Sequence, residues 1–483
     1  MFQRVFPVVF VLAASAVPLF LSLNMNEGRL IYTLDDPYIH MALARNIAYG
    51  HYGINRAEAT APSSSVIWPF LLVPFIRLPA FEAVPLFLNL LFASVTGILL
   101  LGFFRKENVL FFAGSVFAFN LPGLALTGME HSLQVLLTVI IAVGAIEYSK
   151  SGRASRLLVV SLILAPMVRY ECLAVSLPVL ALLFASGDRK LSLATASALI
   201  LLLAGFSLFL LSLGLDPLPA SVFAKSSVVA ERSILSNLIA SLTCFRGVVQ
   251  SLILIPLIRA ATRKERGFQE KLLAAACSLA VLMHLAAGRF GWFHRYGVYI
   301  WVFSVVICFH LYRAFLERHR VVSLLVLMAG SANYLTGYVR IPGASSNIYR
   351  QQYQMMRFAH GWLNEPVAVN DLGLVALNSR HYVLDLWGLA TPEALQGALS
   401  PLWVDSAAAA RNINLAMVYM DELPGIQHWT RIARIELHPP LVVCPGGGVD
   451  FLVAPWASPG KYTALVDDFA PTLPHGIDLI RFR

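Results

Sequence analysis

Asp35 and Asp36 stand side by side before Pro37 in the stretch TLDDPYIHMALARNIAYGHYGINRAEATAPSSSVIW. Adjacent carboxylates at the edge of an apolar region can supply a general base, because partial burial raises a carboxyl pKa toward the working pH. The same pair suits a helix start, since Asp accepts free N–H groups and Pro fits the first turn. Spacing leaves the two readings even, and one Asp can cap while the other reacts. Glu130, beside His131, lies at the end of another apolar run; it can orient a hydroxyl, join Asp35 and Asp36 around a divalent ion, or cap the helix that follows, and the cap is preferred. Arg169 and Glu171 interrupt a third apolar region, where ionisable groups mark a polar cavity or a structural ion pair.

These residues must be positioned by apolar helices. The chain has 483 residues, 58% hydrophobic and 13% charged, where a soluble protein carries about 25% charged residues. Its net charge of +9 comes from Lys and Arg in short clusters between apolar runs, which is the pattern of cytoplasmic loops and not of a nucleic-acid surface. Runs long enough to cross about 30 Å of hydrocarbon begin near residues 5, 83, 108, 131, 157, 171, 191, 238, 272, 297 and 321, predicting about eleven spanning helices. The segment 66–79 is apolar but short, carries Pro69, Pro74, Pro79 and Arg77, and is read as interfacial or re-entrant. With that assignment the basic clusters fall on one face. The loop 24–82 and everything after residue 338 then lie on the other. Trp68, Trp292, Tyr296, Tyr299 and Trp301 are read as an interfacial aromatic belt.

Residues 339–483 change character, and PVAVND, HYVLDL, LAMVYM and PPLVVC read as short strands of a soluble α/β domain. Residues 1–338 form the helical membrane domain. Asp371 and Asp385 follow strands, where turns place Asp. The five cysteines show no metal-ligand spacing, and Cys444 alone falls in the polar region.

The two acids after the first span, the helix with LARNIAYGHYGIN and the Ser-rich stretch leading to Trp68 resemble the first extracytoplasmic loop of GT-C superfamily glycosyltransferases. They are most similar to the cell-wall terminal arabinofuranosyltransferase type. TGMEHSLQ (127–134), VRYE (168–171), LPASVFAKS (218–226), HRY (294–296), NDLG (370–373) and LDLWGL (384–389) follow in the expected order. RAEATAPSSS stands where that type has a GE-x-x-E-G turn.

The resemblance implies a polyprenyl-phosphate sugar donor, an envelope glycan, lipid or protein acceptor, and an inverting displacement at a cavity on the periplasmic side of a bacterial inner membrane. It makes Asp36 the base and Asp35 its second. A departing phosphate needs fixed cations. Lys225 and Arg295, inside the matched motifs, are favoured over Arg289, His294 and Arg340. Glu130, His40, Arg169 and Glu171 complete the expected substrate-binding set. The resemblance leaves metal dependence open, and a divalent cation, if one is used, would fall to Asp35, Asp36 and Glu130. The rival reading is a lipid-linked sugar transporter or flippase, which would be expected to show related halves; none is seen in the sequence.

Overall fold

A computed structural model describes residues 2–105, 108–225, 233–291, 293, 295–444 and 446–482. An apolar run satisfies its backbone by internal hydrogen bonds, and each of the eleven runs is helical. Among the described residues six helices are long and apolar enough to cross a membrane: Val5–Met25, Phe81–Phe104, His131–Ser151, Arg189–Ser212, Phe245–Thr262 and Phe268–Ala287. A pair bent by 60°, Arg320–Gly330 with Ala332–Leu363, gives a seventh if counted as one span. The remaining runs are shorter, at 10–17 residues, and at about 1.5 Å per residue they fall below the hydrocarbon thickness. Extended backbone at Arg169 (φ −153°, ψ 127°) divides Arg156–Val168 from the residues that follow it. Segment 66–79 forms only the helix Trp68–Leu72 and a 3-10 turn, Val73–Phe75.

The boundary expected at residue 339 falls inside the helix Ala332–Arg350. Hydropathy declines there while helix continues, through Gln352–Phe358 and Ala359–Leu363. A mixed sheet follows, with strands β1 (Val367–Val369), β2 (Val383–Asp385), β3 (Leu415–Val418), β4 (Thr430–Leu437), β5 (Gly448–Val453) and β6 (Ile477–Arg481), in the order β2-β1-β3-β5-β4-β6. β1 pairs in parallel with β2 and β3, and the other neighbours are antiparallel.

Three of the four expected strands are present. PPLVVC is not a strand: Pro439 and Pro440 have no N–H for a ladder. That segment is instead held by Asn347, whose Oδ1 accepts from Val442 N–H (2.7 Å) and whose Nδ2 donates to the Pro440 carbonyl (3.2 Å).

Period-two alternation gives the sheet two apolar faces. Val369, Met417 and Phe451 join one buried cluster with Tyr38, Trp68, Ile341 and Phe358, so the first loop and the sheet share a core. Ala368, Leu384 and Val418 face the opposite way, toward Val404 and Ala408 of the helix Pro401–Ala409. The loop also extends the sheet edge. Asn55 mimics a strand residue, donating from Nδ2 to the Val383 carbonyl and accepting from Val383 N–H, both at 2.9 Å.

Candidate active site

Asp35 and Asp36 end up in different roles, and neither caps its own helix, Asp36–Ala48. Asp35 reaches across to the C-terminal sheet region, where Oδ2 accepts from Gly373 N–H (2.6 Å) and Oδ1 from Leu374 N–H (2.9 Å). The approach leaves no room for a side chain: a Cβ on Gly373 would meet the Asp35 carbonyl oxygen at 2.1 Å, which is backbone and cannot swing away. Gly373→Ala is therefore expected to part the first loop from the sheet and lower thermal stability by several degrees, the effect of about 1–3 kcal/mol when buried carboxylate hydrogen bonds are lost. A melting curve of the purified chain in detergent checks it.

Asp36 faces a cavity of about 440 Å³ enclosed by Asp35, Arg295, Tyr296, Gln352, Asp371 and Tyr419, among others. Arg295 Nη2 donates to Asp36 Oδ2 (2.8 Å) and to the Tyr296 hydroxyl (3.2 Å). Arg295 is 1% exposed, and its Nε and Nη1 have no hydrogen-bond acceptor among the described residues. A buried guanidinium with two unused donors is poised for a further anion.

Asp371 was visible in the NDLG motif as a turn residue. In the fold its Oδ2 accepts from Gln352 Nε2 and the Tyr419 hydroxyl, both at 2.7 Å, inside the cavity. Burial raises the Asp35 carboxyl, and Asp371 adds repulsion. Burial raises Asp371 as well, against the hydrogen bonds from Gln352 and Tyr419. Both Asp35 oxygens serve backbone N–H groups, which favours its ionised form. Gln352 and Tyr419 carried no signal in the sequence.

Glu130, Arg169, Glu171 and His40 assemble into a buried network behind this cavity. Arg169 Nη1 donates to Glu130 Oε1 (2.8 Å) and its Nε to Glu171 Oε1 (3.0 Å). His40 Nε2 lies 3.6 Å from Glu130 Oε2, while its Nδ1 is 3.0 Å from Ser63 Oγ. Ser64 donates to Glu130 Oε1 at 3.2 Å. Glu130 stands at the N-cap position yet makes no cap bond, so the preferred cap reading is corrected: its carboxylate turns to Arg169 because a fully buried charge needs a countercharge. Burial alone would raise that carboxyl, but His40, Arg169 and His131 together hold it low.

The Tyr296 ring connects the two groups, with the Arg169 and Arg295 guanidinium carbons 5.4 and 5.0 Å from its centroid. The expected aromatic belt is also corrected. Trp68, Tyr296, Tyr299 and Trp301 are buried, Tyr299 donating to the Glu171 carbonyl (2.8 Å) and Trp301 to Ser331 Oγ (3.2 Å). The polar ends of Tyr296, Tyr299 and Trp301 have partners inside the protein, whereas the buried Trp68 Nε1 has none among the described residues. Trp292 and His294 lie outside the described residues.

A second cavity of about 390 Å³ adjoins the first, and the two share Arg289 and Tyr296. Arg169 and Glu171 line its polar side, Leu173, Leu177 and Met283 its apolar side. Of the other expected cations, Lys225 ends the helix Ala220–Lys225, its side chain outside the described residues, next to Ala224 of the first cavity. Arg340 is exposed on the helix Ala332–Arg350.

Among the described residues no group of three or more His, Cys, Asp or Glu side chains is disposed to hold a metal ion. Glu130 is bonded to Arg169 away from the cavity that Asp35 and Asp36 line, and both Asp35 oxygens are taken by backbone N–H groups. The trio named for a cation does not converge.

Residues 346–457 match a family model described as a domain of unknown function, DUF8728. The match begins in the helix before the sheet and ends just after β5, so it includes Asp371 and Tyr419 but not the first loop. No curated protein matches the chain.

Proposed function

We propose that this chain is a membrane glycosyltransferase of the GT-C type, which moves one sugar from a polyprenyl-phosphate donor to an envelope glycan, lipid or protein. Its long apolar helices cross the inner membrane with the shorter ones packed among them, and the first loop and the sheet lie on the periplasmic side. The observation that carries the reading is the buried Arg295, holding Asp36 with one nitrogen while two of its donors face no acceptor. A donor phosphate in the cavity would compete with Asp36 for the guanidinium, which must turn to bring its unpaired donors to bear, releasing the carboxylate as base. The polar cavity suits the sugar and acceptor, and the apolar cavity beyond Arg289 and Tyr296 suits the first prenyl units.

In the step itself Asp36 takes the proton of the acceptor hydroxyl, whose oxygen attacks the anomeric carbon from the face opposite the phosphate. The bond from that carbon to the phosphate oxygen breaks, and polyprenyl phosphate departs with the electron pair, its growing charge stabilised by Arg295. Asp371, once ionised, accepts a hydrogen bond from a neighbouring sugar hydroxyl. Its carboxyl is raised, so it is protonated at low pH and becomes an acceptor only as pH climbs past the ordinary carboxylate range. The acidic limb of kcat/KM is expected to lie above that range in the wild type and to shift or vanish in Asp371→Asn, as read from a pH–rate series.

The reading is tested with membranes containing the wild-type chain, a panel of radiolabelled polyprenyl-phosphate sugars and native envelope acceptor, with and without chelator. Transfer from one donor supports it. Translocation of a lipid-linked sugar with no transfer from any donor would replace it with the flippase.

A further inference from the structure

A third cavity, of about 640 Å³, lies on the other side of the junction between the first loop and the sheet. Arg45, Arg56 and Arg380 line it together with His381, Asn46 and Asn378, and no Asp or Glu is among its lining residues. This distinguishes it from the candidate active site, where Asp35, Asp36, Asp371 and Glu422 offset Arg289 and Arg295. None of the three arginines forms an ion pair among the described residues. The nearest acids are engaged or apart. Glu58 accepts from the Tyr382 hydroxyl and lies 3.6 Å from Arg411 Nη2, and Glu82 acts on Arg45 only through its field.

Arg45 is also held in place. Its guanidinium lies over the buried ring of Phe81, 5.2 Å from the centroid, which fixes a half-buried charge without neutralising it. Burial lowers its pKa, against the pull of Glu82. An uncompensated cluster of this kind costs stability by self-repulsion, a cost that a bound anion removes. Arginine forks are matched to phosphate oxygens.

We infer that this cavity binds an anionic phosphate ester, clamped between the first-loop helix and residues 378–383. A membrane phosphate is the favoured source. Ile76 lines the cavity, and the short apolar segment that carries it also presents Phe70 and Leu78 to the exterior, 42% and 50% exposed. Tyr49, another lining residue, is 77% exposed. Apolar and aromatic side chains around a basic pocket are how a surface meets lipid headgroups. This inference does not depend on the transferase reading.

The test is a binding series followed by thermal stability of the full chain in detergent, using dihexanoyl phosphatidylglycerol, dihexanoyl phosphatidylcholine and inorganic pyrophosphate as probes. Phosphatidylglycerol is expected to stabilise the wild type and phosphatidylcholine is not. In Arg56→Gln/Arg380→Gln, whose two side chains are exposed and so spare the fold, the concentration needed should rise about tenfold or more. Arg45→Gln should act in the same direction. Stabilisation by pyrophosphate alone, lost in these variants, would support the site with a soluble phosphate as its source. Binding of neither anion by the wild type, or equal binding by the variants, would overturn the proposal.

Discussion

Asp36→Asn is expected to reduce sugar transfer by about 10²–10⁴-fold, the usual contribution of a positioned general base. The substitution keeps the size of the side chain and one oxygen for Arg295, so the loop remains docked through Asp35, whose two bonds to Gly373 and Leu374 are untouched. It removes the charge that would receive the proton in the proposed step. Because Arg295 is buried, losing its countercharge also costs stability. The measurement must therefore separate folding from chemistry: initial rates in membranes, normalised to the amount of inserted protein, with Asp36→Glu alongside. Partial activity in the Glu variant with none in the Asn variant supports a proton acceptor. Full activity in Asp36→Asn would remove Asp36 from the mechanism and leave Asp371 as the cavity carboxylate able to act.

Arg169→Ala carries the largest structural effect. Arg169 is the shared partner of Glu130 and Glu171, and Glu130 is fully buried. Removing one member of a buried pair leaves an uncompensated charge at a cost of about 3–5 kcal/mol. Loss of the guanidinium over the Tyr296 ring adds to this and loosens the wall that also supports Arg295. The chain is expected to express poorly and melt well below wild type in detergent. Combining Arg169→Met with Glu130→Gln removes both charges and should recover much of the loss. If the double variant is no more stable than Arg169→Ala, the pair is not what the network depends on.

How much of this was legible follows from the range of each signal. Apolar length is local, so all eleven helical runs could be read directly. Their lengths as helices could not, because breaks such as the extended Arg169 and the bend after Gly330 depend on packing. The boundary at 339 marked a change in solvent preference, which a helix can pass through. Asp36 and Arg295 were both legible as chemistry-bearing residues, but their 2.8 Å contact spans 259 positions. Asp35 was read against its own helix because capping is usually local, whereas its N–H donors lie 338 and 339 residues away. Gln352 and Tyr419 bear no charge and sit in apolar surroundings, so only the closed cavity gives them meaning. Lys225 was singled out by its motif, and its side chain lies outside the described residues.

The pairing of Asn55 with Val383 and of Asp35 with Gly373 also sets an order of events during synthesis. Asp35 and Asp36 of one cavity wall leave the ribosome more than 300 residues before Asp371 and Tyr419 of the opposite wall. A nascent chain therefore carries its carboxylates long before they face one another. The cavity closes only once Asp371 and Tyr419 have been made, so a chain halted before them has the first-loop wall without the opposite one.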